Sequence, residues 1–376
     1  MRIAALVDLA PRKLGSLEQW VLEFVAECLR RGHSVHLFCQ MPVHPAIEAR
    51  LTELGASWTE FDRFGRTPFR WGRFLRRSFD LVYLNLVPPR SPAAYAAYLA
   101  WPLPLFFFDG SSGSIPGGRR QSWSGRILAP IAFTRVAALA GCSRYVVERD
   151  RSYFRFDAAQ CTVVYNGIDT SRFTPSGEPY PAVPNITTTA YLIPEKGINV
   201  LIDACTQLQD LPWRLVIIGD GPEEEQLRER VARNGLADRT AFLGLRDDVE
   251  SVLRTAEIHV HPAIWQEAFG LTIIEGMASG CATVASRVGG IPEIIEDGKS
   301  GLLFSRGDSD ALAKALRELL SDAVKRRQLG NAARARVVDH FGLQAAVVGQ
   351  VDWIERSWIR WRLGSQRAKS PEAVPA

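Results

Sequence analysis

The residues best placed to do chemistry stand together in the run Glu267-Ala268-Phe269-Gly270-Leu271-Thr272-Ile273-Ile274-Glu275-Gly276-Met277-Ala278-Ser279-Gly280. The run follows an apolar strand signal, Ile258-His259-Val260, and its Leu271–Ala278 part has helical period. Gly270 lets backbone approach a ligand where a Cβ would intrude. The free amides of the first helical turn then favour an anion such as a phosphate. Glu267 precedes that turn and Glu275 lies inside the helix, so both can face one ligand. A carboxylate beside a phosphate site is costly unless hydroxyls donate to it, and sugar or ribose hydroxyls meet that demand. Taken alone, two glutamates eight residues apart are an ordinary capping or surface pair. The Phe-Gly step and the strand-to-helix context make them a ligand site.

Other chemistries have less to work with. The six histidines are at 33, 36, 44, 259, 261 and 340, which leaves none between His44 and His259. The six cysteines, at 28, 39, 142, 161, 205 and 281, form no C-x-x-C pair, so the spacing offers no metal cluster. A reducing, cytoplasmic compartment is the simplest reading. The start Met1-Arg2-Ile3-Ala4-Ala5-Leu6-Val7-Asp8 turns acidic before the apolar core of an export signal could form. No apolar run approaches the roughly 18 residues of a membrane span. The richest, Leu99 to Phe108, is broken by Pro102 and Pro104.

The elements that must position such a site follow an alternating strand and helix pattern, which argues parallel α/β architecture. The 376 residues, 47% hydrophobic and 23% charged, suit a globular chain of two domains, possibly three by length alone. Expected strands in the first half are Arg2–Asp8, Ser34–Cys39, Leu81–Asn85, Leu105–Phe108 and Thr162–Tyr165, with a helix from Gly15 to about Arg31. Thr174–Pro184 holds four prolines and no helical period, so it reads as a linker. A second set of strands follows: Ile186–Ile193, Trp213–Ile218, Thr240–Leu243, Ile258–Val260, Ala282–Ala285 and Leu302–Phe304. Helices are expected over Asp308–Leu320, after Asp322, and over Val347–Arg362. The expected division is residues 1–173, a linker at 174–185, 186–345, a last helix at 346–364 packing back toward the first domain, and a disordered tail at 365–376. Two doubly wound domains imply a cleft between them, with ligands beyond the carboxyl ends of strands.

Charge is unevenly shared. Through residue 175 there are 22 Lys and Arg against 14 Asp and Glu, and afterwards 23 against 27. Of those 22 cations, 21 are arginine and six crowd into Arg63–Arg77, which holds no acid. Arginine interleaved with Phe and Trp suits an anionic membrane surface, where heads meet phosphates and rings enter the acyl boundary. A solvated helix face with its aromatics in the core explains the same residues. Nucleic acid is not expected.

With these residues in place, the chain resembles the retaining glycosyltransferases of family 4, in which a glutamate-x7-glutamate motif reads a sugar nucleotide. Further matches are Val164-Tyr165-Asn166-Gly167-Ile168-Asp169, Pro194-Glu195-Lys196-Gly197, Gly219-Asp220-Gly221-Pro222, Phe242-Leu243-Gly244 and Val288-Gly289-Gly290-Ile291-Pro292-Glu293. The resemblance implies the GT-B fold: two Rossmann-like doubly wound domains facing across a cleft. It implies transfer of a sugar from a nucleotide-sugar donor to an acceptor hydroxyl, with retention, and without a metal or other cofactor. Glu267 would orient the sugar, Lys196 would neutralise the diphosphate, and Glu275 would hold the ribose. The backbone from Ala268 through Phe269, Gly270, Leu271 and Thr272 would cradle the donor. Gly219, Gly221, Leu243 and Gly244 would lie near the nucleotide, and Gly15-Ser16 matches a glycine loop near the donor phosphates.

Two positions depart from the pattern. Tyr191 stands where an arginine usually meets the diphosphate, and no histidine follows the strand at Leu105–Phe108. Asp109 could accept a sugar hydroxyl there, or cap the following Gly-Ser turn. The acceptor could be lipid-linked, an envelope glycan at the inner face of the membrane, or a small soluble molecule. The rival reading is a non-catalytic GT-B protein that binds a nucleotide or glycan as a scaffold.

Overall fold

Strand after strand of this chain is apolar on both faces, the mark of a parallel sheet covered by helices. The structure, a computed structural model, describes residues 1–9, 15–40, 42–60, 67–88, 91–111, 135–177 and 181–367. It divides into two units, Met1–Tyr165 with Ala346–Ala376, and Asn166–Ala345. Each is an all-parallel sheet with helical crossovers, and both are Rossmann-like domains of the GT-B class.

The first sheet contains β1 (Arg2–Val7), β2 (Ser34–Cys39), β3 (Ser57–Glu60), β4 (Leu81–Asn85), β5 (Leu105–Asp109), β6 (Val136–Gly141) and β7 (Cys161–Val163), in the order β3-β2-β1-β4-β5-β6-β7. The second contains β8 (Asn185–Thr189), β9 (Arg214–Ile218), β10 (Thr240–Phe242), β11 (Ile258–His261), β12 (Ala282–Ser286) and β13 (Leu302–Phe304), in the order β10-β9-β8-β11-β12-β13. In both sheets the strand order reverses beside the unit's first strand. In sheets of this kind ligands bind beyond the carboxyl ends of the strands at such a switch point.

Several elements differ from expectation. β3 and β6 escaped the reading because Ser57-Trp58-Thr59-Glu60 is half polar and Val136-Ala137-Ala138-Leu139-Ala140-Gly141 is rich in poor strand formers. Neighbouring strands supply their pairing, His36 against Ser57 and Phe108 against Ala140. β8 ends at Thr189 rather than Ile193, because Ile193 turns back to donate to the Tyr191 carbonyl and Pro194 opens a single turn of 3₁₀ helix. The division after Tyr165 lies ahead of the proline-rich stretch. Ile168 bonds through its backbone to Phe341 and Leu343, and Arg172 pairs with Glu250 at 2.8 Å, so residues 166–173 join the second unit.

The final helix runs Leu343–Arg367, past its expected end; Leu363, Gln366 and Arg367 sustain a helix, and the next proline is Pro371. Residues 368–376 of the expected tail lie outside the described residues. From Ala346 onward this helix completes the first unit's core. Val347, Val351, Trp353 and Ile354 are buried, and Trp353 packs on Tyr83 of β4 and Phe106 of β5. Gln350 bonds the buried Tyr83 hydroxyl. On the rim, Arg31 reaches Asp352 and Glu355 at 2.6 and 2.8 Å.

Candidate functional site

The second unit assembles its charges at the switch point between β8 and β11. Lys196 ends the 3₁₀ turn after β8, and Glu267 sits in the loop after β11. Lys196 Nζ lies 2.7 Å from Glu267 Oε2, with side-chain exposures of 19% and 8%. This pairing joins two stretches of chain that are 71 residues apart. The Trp265 ring lies under the same ammonium, 5.9 Å from its centroid.

His261, the last residue of β11, completes the cluster, and the sequence reading had not assigned it to the site. Its Nε2 is 3.4 Å from Glu267 Oε2, and its Nδ1 is 3.2 Å from the Thr272 hydroxyl. The signal was its place at the strand tip, beside Pro262. Burial pushes the Glu267 carboxyl up, but the contacts with His261 and Lys196 outweigh it and hold the group well below the usual carboxylate range. Glu267 is therefore an ionised acceptor, unsuited to donating a proton. His259, two residues earlier, is fully buried under the helix and pushed down to about 3 by desolvation, so it is a neutral packing residue.

Backbone contacts hold this loop in place. A Cβ on Gly289 would come within 2.0 Å of the Glu267 carbonyl, and Gly289 has a φ of +51°. The Gly290 amide donates to that carbonyl at 2.8 Å, and the Gly289 amide donates to the Gln266 side chain at 2.7 Å. The run Val288–Glu293 is therefore a clamp on Glu267.

The helix Leu271–Ala278 begins at Gly270, as expected. The amides of Leu271 and Thr272 donate to no group among the described residues. Glu275 is 8% exposed one turn into the helix. Ala268 and Phe269 bury their side chains, and Phe269 packs edge-on against Phe341 at 5.6 Å.

Gly219, Gly221, Leu243 and Gly244 come together at the neighbouring strand ends. Gly219 donates to the Gly244 carbonyl at 2.8 Å, and a Cβ on it would lie 1.9 Å from the Ala190 carbonyl. Gly221 meets the backbone of Leu192 in the same way. Tyr191, held between those two contacts, is exposed, as is Leu243 at the border of exposure.

The remaining site residues lie in the first unit. Gly15 caps the helix Ser16–Arg30, and its amide donates to Glu18 Oε2 at 3.0 Å. Ser16 is buried. Asp109 ends β5 and does cap its turn: Oδ1 accepts from the Ser111 amide and hydroxyl at 2.7 and 2.6 Å. Its Oδ2 pairs with Arg149 at 2.6 Å, and Arg149 also reaches Asp150 at 3.0 Å. Of the Arg63–Arg77 segment, 63–66 lie outside the described residues. Among the described residues no group of three or more His, Cys, Asp or Glu side chains forms a metal cluster.

Two family descriptions match the chain: "Glycosyl transferases group 1" over residues 180–336 and "Glycosyltransferase Family 4" over residues 17–172. An N-acetyl-alpha-D-glucosaminyl L-malate synthase of Bacillus anthracis is 36% identical over 166 residues, 44% of this chain and 43% of that protein. A phosphatidyl-myo-inositol mannosyltransferase of Mycobacterium leprae is 37% identical over 38% of each chain. The matched stretches thus span less than half the length of these relatives. The Anabaena protein HepE, solved in complex with UDP and glucose, superposes with a TM-score of 0.78 at 21% identity, covering 94% of this chain and 99% of its own.

Proposed function

Because the chain belongs to the glycosyltransferases of family 4, we propose that it moves a sugar from a nucleotide-sugar donor to an acceptor hydroxyl, with retention at the anomeric carbon. One observation carries the donor reading. The Lys196 ammonium and the Glu267 carboxylate meet at the switch point of the second sheet, ahead of a helix whose first two amides are unclaimed.

In this reading the anomeric C–O bond breaks and its electron pair goes to the leaving diphosphate, while the acceptor hydroxyl oxygen bonds to the anomeric carbon on the same face and gives its proton to the departing diphosphate. Lys196 and the amides of Leu271 and Thr272 stabilise that growing negative charge, so no metal is needed for it. Glu267, held ionised, accepts hydrogen bonds from sugar hydroxyls and orients the ring. Glu275 takes the ribose. The complexes of HepE with UDP and glucose lend support to a uridine donor. We assign the acceptor to the first unit, and we favour a lipid-linked or envelope-glycan acceptor reached from the inner face of a membrane.

The test is a thermal-shift panel with UDP, GDP, TDP and ADP. A nucleotide at 100 times its dissociation constant adds about 2.7 kcal/mol of stability. The expected result is a shift with one nucleotide that Lys196→Ala abolishes. No shift with any of the four would sink the donor site. If one nucleotide binds but no sugar donor releases its nucleoside diphosphate, the protein is a scaffold and not a transferase.

A further inference from the structure

The helix Pro68–Ser78 buries Gly72 and Leu75, packs Trp71 against the core beside Phe38, and turns its arginines and Phe69 outward. At 100° per residue, Arg76, Phe69, Arg73, Arg77, Arg70 and Phe74 occupy one continuous exposed arc. Among the described residues none of these four arginines makes an ion pair or a side-chain hydrogen bond. Phe69 is 75% exposed and Phe74 is 42% exposed.

A second element extends this face. At Gly72 the helix crosses Pro92–Leu99 so closely that a Cβ there would lie 2.7 Å from that of Leu99. On the second helix Tyr95 and Leu99 are exposed one turn apart, and Trp101 follows at 61%. The Arg135 guanidinium lies over the Trp101 ring, 5.4 Å from its centroid. Neither Arg63–Phe79 nor Arg90–Phe108 contains an acid. Unpaired cations and large exposed apolar side chains are thus carried by two helices of the first unit that touch at Gly72 and Leu99.

We propose that this face, built from Phe69, Arg70, Arg73, Arg77, Leu99 and Trp101, docks the protein on a bilayer containing anionic lipid. Each arginine near such a surface gains attraction to headgroup phosphates, and the rings gain by entering the acyl boundary. Four like charges oppose pairing of this face with a second copy of itself. A nucleic-acid backbone satisfies the arginines but leaves Phe69 and Leu99 in water. No helix among the described residues is long and apolar enough to cross a membrane, so the contact is a surface one. The inference deepens the reading of a lipid-linked acceptor, yet vesicle binding needs neither donor nor turnover.

The experiment is flotation of the full chain with vesicles of phosphatidylcholine alone and of phosphatidylcholine mixed with phosphatidylglycerol. The expected result is binding only to the mixed vesicles. Replacing Arg70, Arg73, Arg76 and Arg77 with Ala lowers that binding by roughly two to three powers of ten. Replacing the same four with Lys keeps it, and a thermal melt confirms that each variant is folded. Phe69→Ala with Phe74→Ala lowers it about tenfold with the charge unchanged. Equal binding to both vesicle types, or wild-type flotation of the alanine variant, would overturn the proposal. So would loss of binding on the lysine replacement, or displacement from mixed vesicles by a single-stranded oligonucleotide at equal charge concentration. None of these results would alter the nucleotide panel, so the two readings fail separately.

Discussion

The two units share a strand order but treat their carboxyl edges differently. In the second unit the charged side chains sit on loops that backbone contacts lock, Gly289 against Glu267 and Gly219 against Ala190. In the first unit the charges at the edge satisfy one another: Arg149 bridges Asp109 and Asp150, while Glu18 takes the Gly15 amide. The second unit's cation and acid also pair with each other, Lys196 with Glu267 at 2.7 Å, but they do so ahead of a helix whose first two amides are unclaimed. The first unit's binding potential has moved outward, to the arginines of an exposed helix. A shared scaffold thus permits a stringently built site in one unit and an adaptable surface in the other.

The sharpest way to break this comparison is an alanine in each unit at a glycine with positive φ. Gly289→Ala sets a Cβ against backbone that has nowhere to go, and we expect a loss of about 4 kcal/mol or more in urea unfolding of the second unit. Gly55→Ala in the first unit meets nothing within 4 Å, so only the left-handed φ costs, about 1 kcal/mol. Equal losses would refute the claim that close backbone contact, and not conformation alone, fixes the loop that carries Glu267.

Next in size is Glu267→Gln. It keeps the shape but removes the negative charge that Lys196 and His261 face, and we expect nucleoside diphosphate release to fall roughly 10²-fold, a larger effect than the drop in melting temperature that the unpaired Lys196 ammonium brings. Asp109→Asn should act the other way round, destabilising the first unit more than it alters donor binding, because its partners are Arg149 and Ser111. A thermal melt and the nucleotide panel separate the two outcomes.

The last expected effect is one of pH. Burial, and then the charge of Asp109, push the Asp150 carboxyl up to about 8 from 3.8, against the pull of Arg149. The folded state then holds a proton that the unfolded chain has released. This group's contribution is fully present below 3.8 and is lost as pH rises to about 8. Melting temperature of the first unit should fall across that window, and Asp150→Asn should flatten the fall. An unchanged slope in the variant would assign the pH dependence to other groups.

Much of this was legible in the sequence because strand periodicity and glycine position are local signals. The Glu267–Gly280 run, the strand before it and Lys196 all occur where local chemistry places them. The role of His261 was not legible, since it depends on β11 bringing that ring beside a loop whose course Gly289 and Gly290 set. Nor was the fate of Asp109: a turn cap and a ligand-binding carboxylate read alike until Arg149, forty residues on, comes into contact. The arginine-rich face was half legible, because its arginines are close in sequence while Leu99 comes beside that helix only through the crossing at Gly72.

The course of the chain has one more consequence, during translation. The helix that covers Tyr83 and Phe106 is made after the whole of Asn166–Ala345. At typical synthesis speeds the ribosome needs roughly ten to forty seconds to make that stretch. Through that interval the nascent first unit exposes an aromatic seam awaiting Trp353, and the second unit is the first to become complete.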